Sequence, residues 1–565
     1  MILTEEVFER RPWIKQYDWK VPWSFNYPKF PAWHLIRNAS NGVPHRPATW
    51  FYGTEITYLE LYRSCIRLAN KLVELGVKKG DRIGVLLPNS PQFNLAYWSI
   101  LMTGAVVVNL NPMYTYEELK GIAANTGLTG LFAFDLVLPN VKALCEAIDI
   151  PLIIVTRMGD FVNGAGISTP EELGLEEGWH HLSQLLDQST NKIPLRIPID
   201  QDDPAIIQFT GGTTGVPKGA VLTQGNVVAA TVIVSRWGGT TIDDVSLDRR
   251  WVFCTLPYFH VYGEVCCILY CMFTYATQVI LPKWDTNEVV ATLKQHDEIV
   301  YWPCVPTMLQ AVLDHPQADE LDLNLKTDFV GTGAAPCPVE LIEKALDFDI
   351  YYSEGWGMSE TFALGISNPV QGPKKVASCG IPMPDFDVRL VSPETLEDVP
   401  RGERGEIWIK GPTVMKEYWN NPAETRNSMV EGWLRTGDVA YMDEEGYIFI
   451  VDRTKDMIIA GGFNIYPRDI DEVLLKHPKV KDAIVVGIPD QYRGETVKAF
   501  IQPVEGVAVT EEELTAFCKQ HLAAYKVPKM IEFRQQLPRT DTGKALRRKL
   551  REEEIAKMNA EREVR

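Results

Sequence analysis

The sequence predicts an α/β protein: a large N-terminal domain of parallel sheets covered by helices, a β-rich subdomain, and a small α+β C-terminal domain. Three observations carry this reading. Apolar runs without polar alternation recur between helical segments from Arg82 to Phe253, the pattern of strands buried on both faces. The character changes after about residue 385, where short strands are separated by Gly and Asp turns. And 565 residues exceed one compact core, since domains typically run to ~100–200 residues.

The elements follow in order. The N-terminal segment holds Trp13, Trp19, Trp23, Phe25, Tyr27, Phe30 and Trp33, but Pro12, Pro22, Pro28 and Pro31 break any continuous helix. An arm packed across a domain is expected; peripheral membrane contact is the sharper alternative, because aromatics also favour interfaces. Tyr58–Leu75 has helical spacing, with Thr57 as N-cap, Glu60 completing a capping box and Gly76 closing the end. Strands are expected at 82–88, 105–110, 131–132, 152–155, 205–209 and 251–253. Val265 to Pro282 carries no charge, but Thr274, Thr277, Gln278 and Pro282 favour a buried helix followed by a buried strand over a membrane span. Strands at 388–391, 406–410 and 447–451 build the β-rich subdomain, at about 385–452. The C-terminal part reads as a helix at 467–476, strands at 483–487 and 497–503, a helix at 511–521 and a charged tail helix.

Composition excludes several classes. A formal net charge of −18 repels nucleic acid and anionic membranes. Ten cysteines without a Cys-x-x-Cys pair argue against a zinc site or disulfide framework and fit a cytoplasmic protein. Met1–Glu6 has no basic start before an apolar run, so no signal peptide is expected. No Gly-x-Ser-x-Gly and no protein-kinase catalytic motif is found.

Six segments carry chemistry. The first, Thr210-Gly211-Gly212-Thr213-Thr214-Gly215-Val216-Pro217-Lys218-Gly219, packs four glycines, three threonines and a lysine into ten residues. Backbone N–H groups, hydroxyls and one cation suit a polyphosphate, although the order is not that of a Walker A loop. The second, Tyr352 to Thr361, places Trp356 between Gly355 and Gly357, an aromatic face on which a purine can stack. Within it Glu360 is a hard oxygen donor suited to Mg²⁺ beside phosphates. The third is Gly331-Thr332-Gly333-Ala334-Ala335-Pro336, where small residues leave room for a flat ligand. The fourth is Gly432 to Asp438, whose carboxylate can accept ribose hydroxyls. The fifth is Arg453 with Lys455, and the sixth is Pro538 to Lys544. Singly, the last four are ordinary loops, turns and tails.

Their order resembles the core motifs of the adenylate-forming superfamily, with closest similarity to AMP-forming acyl-CoA synthetases (fatty-acid–CoA ligase-like). Pro257–His260, Gly380–Pro384, Gly411–Met415 and Gly487–Asp490 fit that group too. The resemblance implies two half-reactions. A carboxylate attacks the α-phosphorus of ATP to give an acyl-adenylate and pyrophosphate, and CoA then takes the acyl group, releasing AMP. It also implies Lys544, Glu360 and Lys218 as catalytic residues, with Glu360 placing Mg²⁺. ATP or AMP would be held by Thr210, Gly211, Gly212, Thr213, Thr214, Gly215, Gly333, Ala334, Ala335, Pro336, Glu354, Gly355, Trp356, Gly357, Met358, Ser359, Asp438, Ile450 and Arg453. Residues 1–452 would form the N-terminal domain, 453–456 a hinge at Lys455, and 457–565 a mobile C-terminal domain that brings Gly461, Gly462 and Phe463 to a CoA channel. The acyl pocket would lie near Trp237, His260, Val261, Tyr262, Gly331, Thr332 and Phe362. Some long-chain members carry a tryptophan gate where this chain has Glu264. This favours medium-chain, branched or ring-bearing acids over long-chain fatty acids. An acyl-adenylate ligase that loads a carrier protein and a non-catalytic nucleotide-binding protein remain as alternatives. A homodimer is compatible with the resemblance.

Overall fold

The computed structural model describes residues 5–210, 217–242, 245–247, 250–296, 299–323, 329–348, 350–453, 455–460, 463–490, 494–540 and 544–564. The chain divides into two compact units, Met1–Asp387 with Lys410–Gly432, and Val388–Ile409 with Trp433–Arg565.

The first unit holds two large sheets. One runs in the order Glu417–Tyr418, Gly219–Thr223, Pro204–Phe209, Val106–Asn109, Arg82–Leu86, Gly130–Phe134, Leu152–Thr156, His180–His181. From Pro204–Phe209 onward its neighbours are parallel. Gly219–Thr223 and Glu417–Tyr418 are added antiparallel at the other edge. The second sheet runs Ile381–Pro382, Ile366–Ser367, Tyr352–Trp356, Val330–Thr332, Ile299–Cys304, Trp251–Cys254, Thr277–Ile280, Pro47–Phe51, Thr54–Thr57. It is parallel through the middle and antiparallel at both ends.

The helix Tyr58–Glu74 starts as its sequence requires: the Thr57 side chain accepts from Glu60 N–H, and Glu60 returns the bond to Thr57 N–H. Gly76 lies two residues past its end at φ +97°, a conformation glycine adopts at little cost. The helix Pro91–Met102 is buried along its whole length, which fits its apolar character all round. The uncharged run after Glu264 is helical to Thr274 and then becomes the buried strand Thr277–Ile280, so it is core. Among the described residues no helix is long and apolar enough to cross a membrane.

The N-terminal segment is an arm packed on its own unit. Tyr17 Oη donates to Pro382 O (2.7 Å), and Phe25 N–H and Tyr27 Oη both donate to Asp385 Oδ2 (2.8 and 2.6 Å). Ala32 N–H donates to Gln224 Oε1 (2.9 Å). Trp13 and Trp33 are buried, whereas Trp19 is 86% exposed.

The second unit contains the β-rich strands at 388–391 and 405–409 with Trp433–Met442 and Ile448–Arg453. Its other sheet is made of Phe463–Ile465, Ile458–Ala460, Gly494–Pro503 and Val480–Asp490, with Met530–Phe533 parallel to Gly494–Pro503. The helices are Pro467–Leu475, Glu511–His521 and Arg547–Val564. All ten cysteines are free thiols.

Candidate active site

The first motif caps an antiparallel hairpin. Pro204–Phe209 and Gly219–Thr223 pair directly, and Thr210 N–H donates to Lys218 O (2.9 Å), pinching the loop shut at its base. Gly211, Gly212, Thr213, Thr214 and Gly215 lie outside the described residues. Lys218 is described, and its ammonium pairs with the Glu424 carboxylate and lies 5.2 Å from the centre of the Tyr418 ring.

The second and third motifs sit side by side because their strands pair in parallel, with Gly331 opposite Ser353 and Thr332 opposite Glu354. Both motifs therefore emerge at the same carboxyl-terminal edge, where ligands of open α/β sheets bind. Ala334 holds φ +67°, which turns the chain just past Gly333. A Cβ on Gly333 would come within 3.2 Å of Gly355 O and 3.4 Å of the Tyr262 ring, so the small residue is what lets these three segments meet. Pro336 and Ala335 follow in the same loop, and the next N–H, of Cys337, donates to Glu354 Oε1 (3.4 Å). Gly355 and Trp356 pair with Ser367 and Ile366, leaving Trp356 half-buried. Gly357 admits no side chain at all, since a Cβ would fall 2.0 Å from Ala363 O. The turn that follows is tied by Met358 N–H to Thr361 Oγ1 (3.0 Å) and by Phe362 N–H to Ser359 O (3.2 Å).

That turn presents Glu360. It is buried, its Oε1 accepts from Tyr418 Oη (2.6 Å), and its carbonyl accepts from Met415 N–H (2.7 Å). Tyr418 thus touches two sequence-predicted residues at once, Glu360 through its hydroxyl and Lys218 through its ring. Burial, together with the Glu360 charge, raises the Tyr418 phenol well above its ordinary range, so it stays a hydrogen-bond donor. Tyr418 and Glu424 escaped the sequence reading. Tyr418 lies three residues past the quoted Gly411–Met415 motif and Glu424 nine past it, and no local pattern marks either.

The residues expected around the acyl group are only partly gathered. Tyr262 Oη donates to Gly331 O (3.0 Å). His260 Nδ1 accepts from Tyr262 N–H (3.2 Å), so His260 caps the helical turn that begins at Val261. Trp237 is buried with Nε1–H donating to Asn368 O (3.1 Å); Ser353 Oγ donates to the same oxygen (2.8 Å). Tyr17 of the N-terminal arm packs edge-on against Trp237 at 5.4 Å. Thr332 Oγ1 meets Tyr352 Oη at 2.5 Å, and Phe362 is turned into the core.

Glu264 is completely buried. Tyr97 Oη donates to its Oε1 and Asn109 Nδ2 to its Oε2, both at 2.7 Å. Asn109 also reaches Gln208 Oε1 (3.1 Å), and Gln208 Nε2 reaches Phe259 O (3.2 Å). Burial pushes the Glu264 carboxyl up to about 8, against the lowering effect of its two donors.

In the second unit Asp438 and Arg453 face each other across antiparallel strands and form an ion pair at 3.3 Å. Ile450 is half-buried opposite Ala440. Lys455 is exposed beside a turn in which Asp456 and Met457 N–H both donate to Arg453 O (3.1 and 3.2 Å). Arg468 N–H donates to the buried Asp452 (2.7 Å). Gly461 and Gly462 lie outside the described residues, as do the surroundings of the Phe463 side chain. Thr540 N–H donates to Lys544 O (2.9 Å), and Lys544 N–H donates to Thr540 Oγ1 (3.1 Å).

Residues 36–419 match the model of the AMP-binding enzyme family, and residues 469–544 that of the AMP-binding enzyme C-terminal domain. The chain is 36% identical to a long-chain-fatty-acid–CoA ligase of Bacillus subtilis (strain 168), over 96% of this chain and 98% of that one. It is 34% identical to a feruloyl-CoA synthase of Amycolatopsis sp, covering 90% and 96%. It is also similar to ATP-bound MatB from Rhodopseudomonas palustris, with a TM-score of 0.83, 26% identity and coverage of 93% and 99%. The chain belongs to the AMP-binding enzyme family, among its AMP-forming acyl-CoA ligases.

Proposed function

We propose that this ligase activates a medium-chain, branched or ring-bearing carboxylic acid, and that Lys218, Glu360 and Lys544 carry the adenylation step. The observation that carries the reading is the contact set Lys218–Tyr418–Glu360, which joins the glycine-rich hairpin to the turn after Trp356. A carboxylate oxygen attacks the α-phosphorus of ATP, the bond to the bridging oxygen breaks, and pyrophosphate leaves with the electron pair. Charge grows on the phosphoryl oxygens as this happens, and cations fixed beforehand at those oxygens lower the barrier. Lys218 serves the β- and γ-phosphates, and Lys544 bridges the carboxylate and the α-phosphate as a point charge with three donors. Trp356 and Gly333–Pro336 flank adenine, while Asp438 and Arg453 hold ribose. The thiol of CoA then attacks the acyl carbonyl and AMP departs. Rotation about Lys455, within a hinge at 453–456, exchanges Lys544 for the Gly461–Phe463 loop between the two steps.

Mg²⁺ fits this chain through Glu360. Among the described residues no three His, Cys, Asp or Glu side chains gather as a metal cage. A single buried carboxylate beside a polyphosphate loop is the usual arrangement for Mg²⁺, which keeps waters and binds substrate phosphates. The ion would neutralise phosphate charge.

The compact acid is favoured by Glu264, because Tyr97, Asn109 and Gln208 make its surroundings polar where a long alkyl tail needs apolar walls. The second reading, a long-chain fatty acid, is favoured by the names of relatives such as the Bacillus subtilis ligase. We also read the protein as cytoplasmic, on its ten free thiols.

The test is AMP release from ATP, Mg²⁺ and CoA with fatty, cyclohexane- and benzene-carboxylic acids. We expect acid- and CoA-dependent AMP, with kcat/KM rising about fourfold per CH₂ and then falling before palmitate. A steady rise through palmitate selects the long-chain reading. Thioester on holo carrier protein but not on CoA overturns both.

A further inference from the structure

The contact between Lys218 and Glu424 is not required by any step above, yet it is built with care. Glu424 lies in the first turn of the helix Pro422–Ser428, whose N-cap Asn421 accepts from Glu424 N–H (3.1 Å). Tyr418 N–H donates to Thr425 Oγ1 (2.9 Å), which folds that helix back on the strand Glu417–Tyr418. The strand is in turn stitched to the residues that follow Lys218: Trp419 N–H donates to Gly219 O (2.7 Å) and Lys416 N–H to Val221 O (2.9 Å). On its other side the same segment grips the Glu360 turn, through Thr413 Oγ1 to Thr361 O (2.7 Å) and Met415 N–H to Glu360 O. The Glu424 carboxylate is therefore delivered to the Lys218 ammonium by an ordered frame, and both side chains are largely withdrawn from solvent, at 17% and 30% exposed. Glu424 also falls outside both stretches matched by the family models, which end at 419 and resume at 469.

We propose that Glu424 is a positioning residue that holds the Lys218 ammonium and sets its charge balance, so that the carboxylate and a nucleotide polyphosphate compete for the same cation. This rests on the adenylation reading of Lys218. An ammonium has three donors, so it can keep Glu424 on one while phosphate oxygens take the others. The cost is a carboxylate left close to phosphate. Repulsion between like charges in a partly desolvated site weakens nucleotide binding and speeds departure of pyrophosphate. A plain surface ion pair would do neither, because exposed pairs contribute little beyond local stability.

The experiment is ATP–pyrophosphate exchange with the full-length protein, a saturating acid and Mg²⁺, in three forms. The unaltered protein tests the adenylation reading by itself: without exchange there, that reading fails, whatever Glu424 does. Glu424→Gln keeps an oxygen acceptor for Lys218 and removes the charge. Its KM for ATP should fall about three- to tenfold at low salt, with kcat changed by a smaller factor and the KM difference shrinking at high salt. Glu424→Asp keeps the charge on a shorter arm, so its KM should stay near that of the unaltered protein. A KM that is unchanged or raised in Glu424→Gln overturns the proposal. So does a Glu424→Asp variant that behaves like Glu424→Gln, because contact length rather than charge would then be the cause.

Discussion

Two buried glutamates in the first unit look alike at first contact and differ in everything that decides function. Glu360 and Glu264 are both withdrawn from solvent, and each accepts a tyrosine hydroxyl, from Tyr418 at 2.6 Å and from Tyr97 at 2.7 Å. The difference lies in what else surrounds each carboxylate. Beyond Glu360 the Tyr418 ring faces the Lys218 ammonium, and the backbone around the carboxylate is locked by Met415 and by Gly357, where no Cβ fits. Beyond Glu264 stand the Asn109 amide and the Gln208 amide, neutral groups that end on a backbone carbonyl. Burial therefore pushes Glu264 up to about 8, and it spends neutral pH largely protonated. A buried carboxylate with a tyrosine partner is thus no sign of catalysis by itself. In the proposed reading, the cation in the same assembly is what turns one of the two toward phosphate chemistry.

The largest effect should separate the pair outright. Glu360→Gln should lower the rate of ATP–pyrophosphate exchange by about 10²- to 10³-fold, the scale seen when one preorganised group is removed from a charged transition state. Glu264→Gln, assayed with a compact acid, should stay within about threefold of the unaltered protein. Equal losses in the two variants would break the comparison.

A smaller effect tests the two phenols. Tyr418→Phe removes the hydroxyl at Glu360 but leaves the ring facing Lys218. A hydrogen bond to a charged group contributes about 1.5–3 kcal/mol, so roughly tenfold or more should be lost in exchange, with a raised Mg²⁺ requirement. Tyr97→Phe deprives a mostly neutral carboxyl of one donor, and should lower thermal stability while leaving exchange near normal. If Tyr97→Phe also raised the Mg²⁺ requirement, Glu264 would have to sit in the phosphate site after all.

The sequence showed one of these two glutamates clearly and the other hardly at all, for physical reasons. Glycine-rich loops and turns around Gly357 are visible because only a few residue types tolerate such backbones. The alternating strands were visible for the same kind of local reason: the parallel core follows the apolar runs at 82–88, 105–110, 131–132, 152–155 and 205–209, and the capping box at Thr57 is present. Tyr418 with Lys218, and Tyr97 with Glu264, are contacts between residues 200 and 167 positions apart. No local pattern announces them, because strand order decides them. The grouping of 388–409 with 433–565 is equally non-local, since the chain leaves that unit at Ile409 and returns at Trp433. For Glu264 the family resemblance implied a gate position, and no local pattern announced the amide cluster around it.

The smallest effect is the one that reads Glu264 directly. Its carboxyl titrates near 4.5 in an ordinary setting and about 8 in the fold, so the folded chain holds a proton that the unfolded chain gives up between these values. With the folded value raised, the contribution is fully present below about pH 4.5 and is lost as pH rises toward 8. Each unit of pH in that window can cost up to ~1.4 kcal/mol, and over the whole window the loss is on the order of a few kcal/mol. Glu264→Gln removes the titration and keeps the shape. Its amide oxygen can accept from Asn109 Nδ2, as Oε2 does, and its NH₂ can donate to Tyr97 Oη, since a phenol both donates and accepts. Thermal midpoints of the two proteins should therefore nearly coincide at pH 5. At pH 8 the variant should lead by a few degrees, a scale that follows from ~1 kcal/mol moving the midpoint of a large domain by only about 2 °C. A gap that stays constant with pH would mean that Glu264 takes up no proton on folding. A variant less stable than the unaltered protein at pH 8 would mean that the carboxylate is charged there and that its two donors outweigh its burial, which would remove the contrast with Glu360.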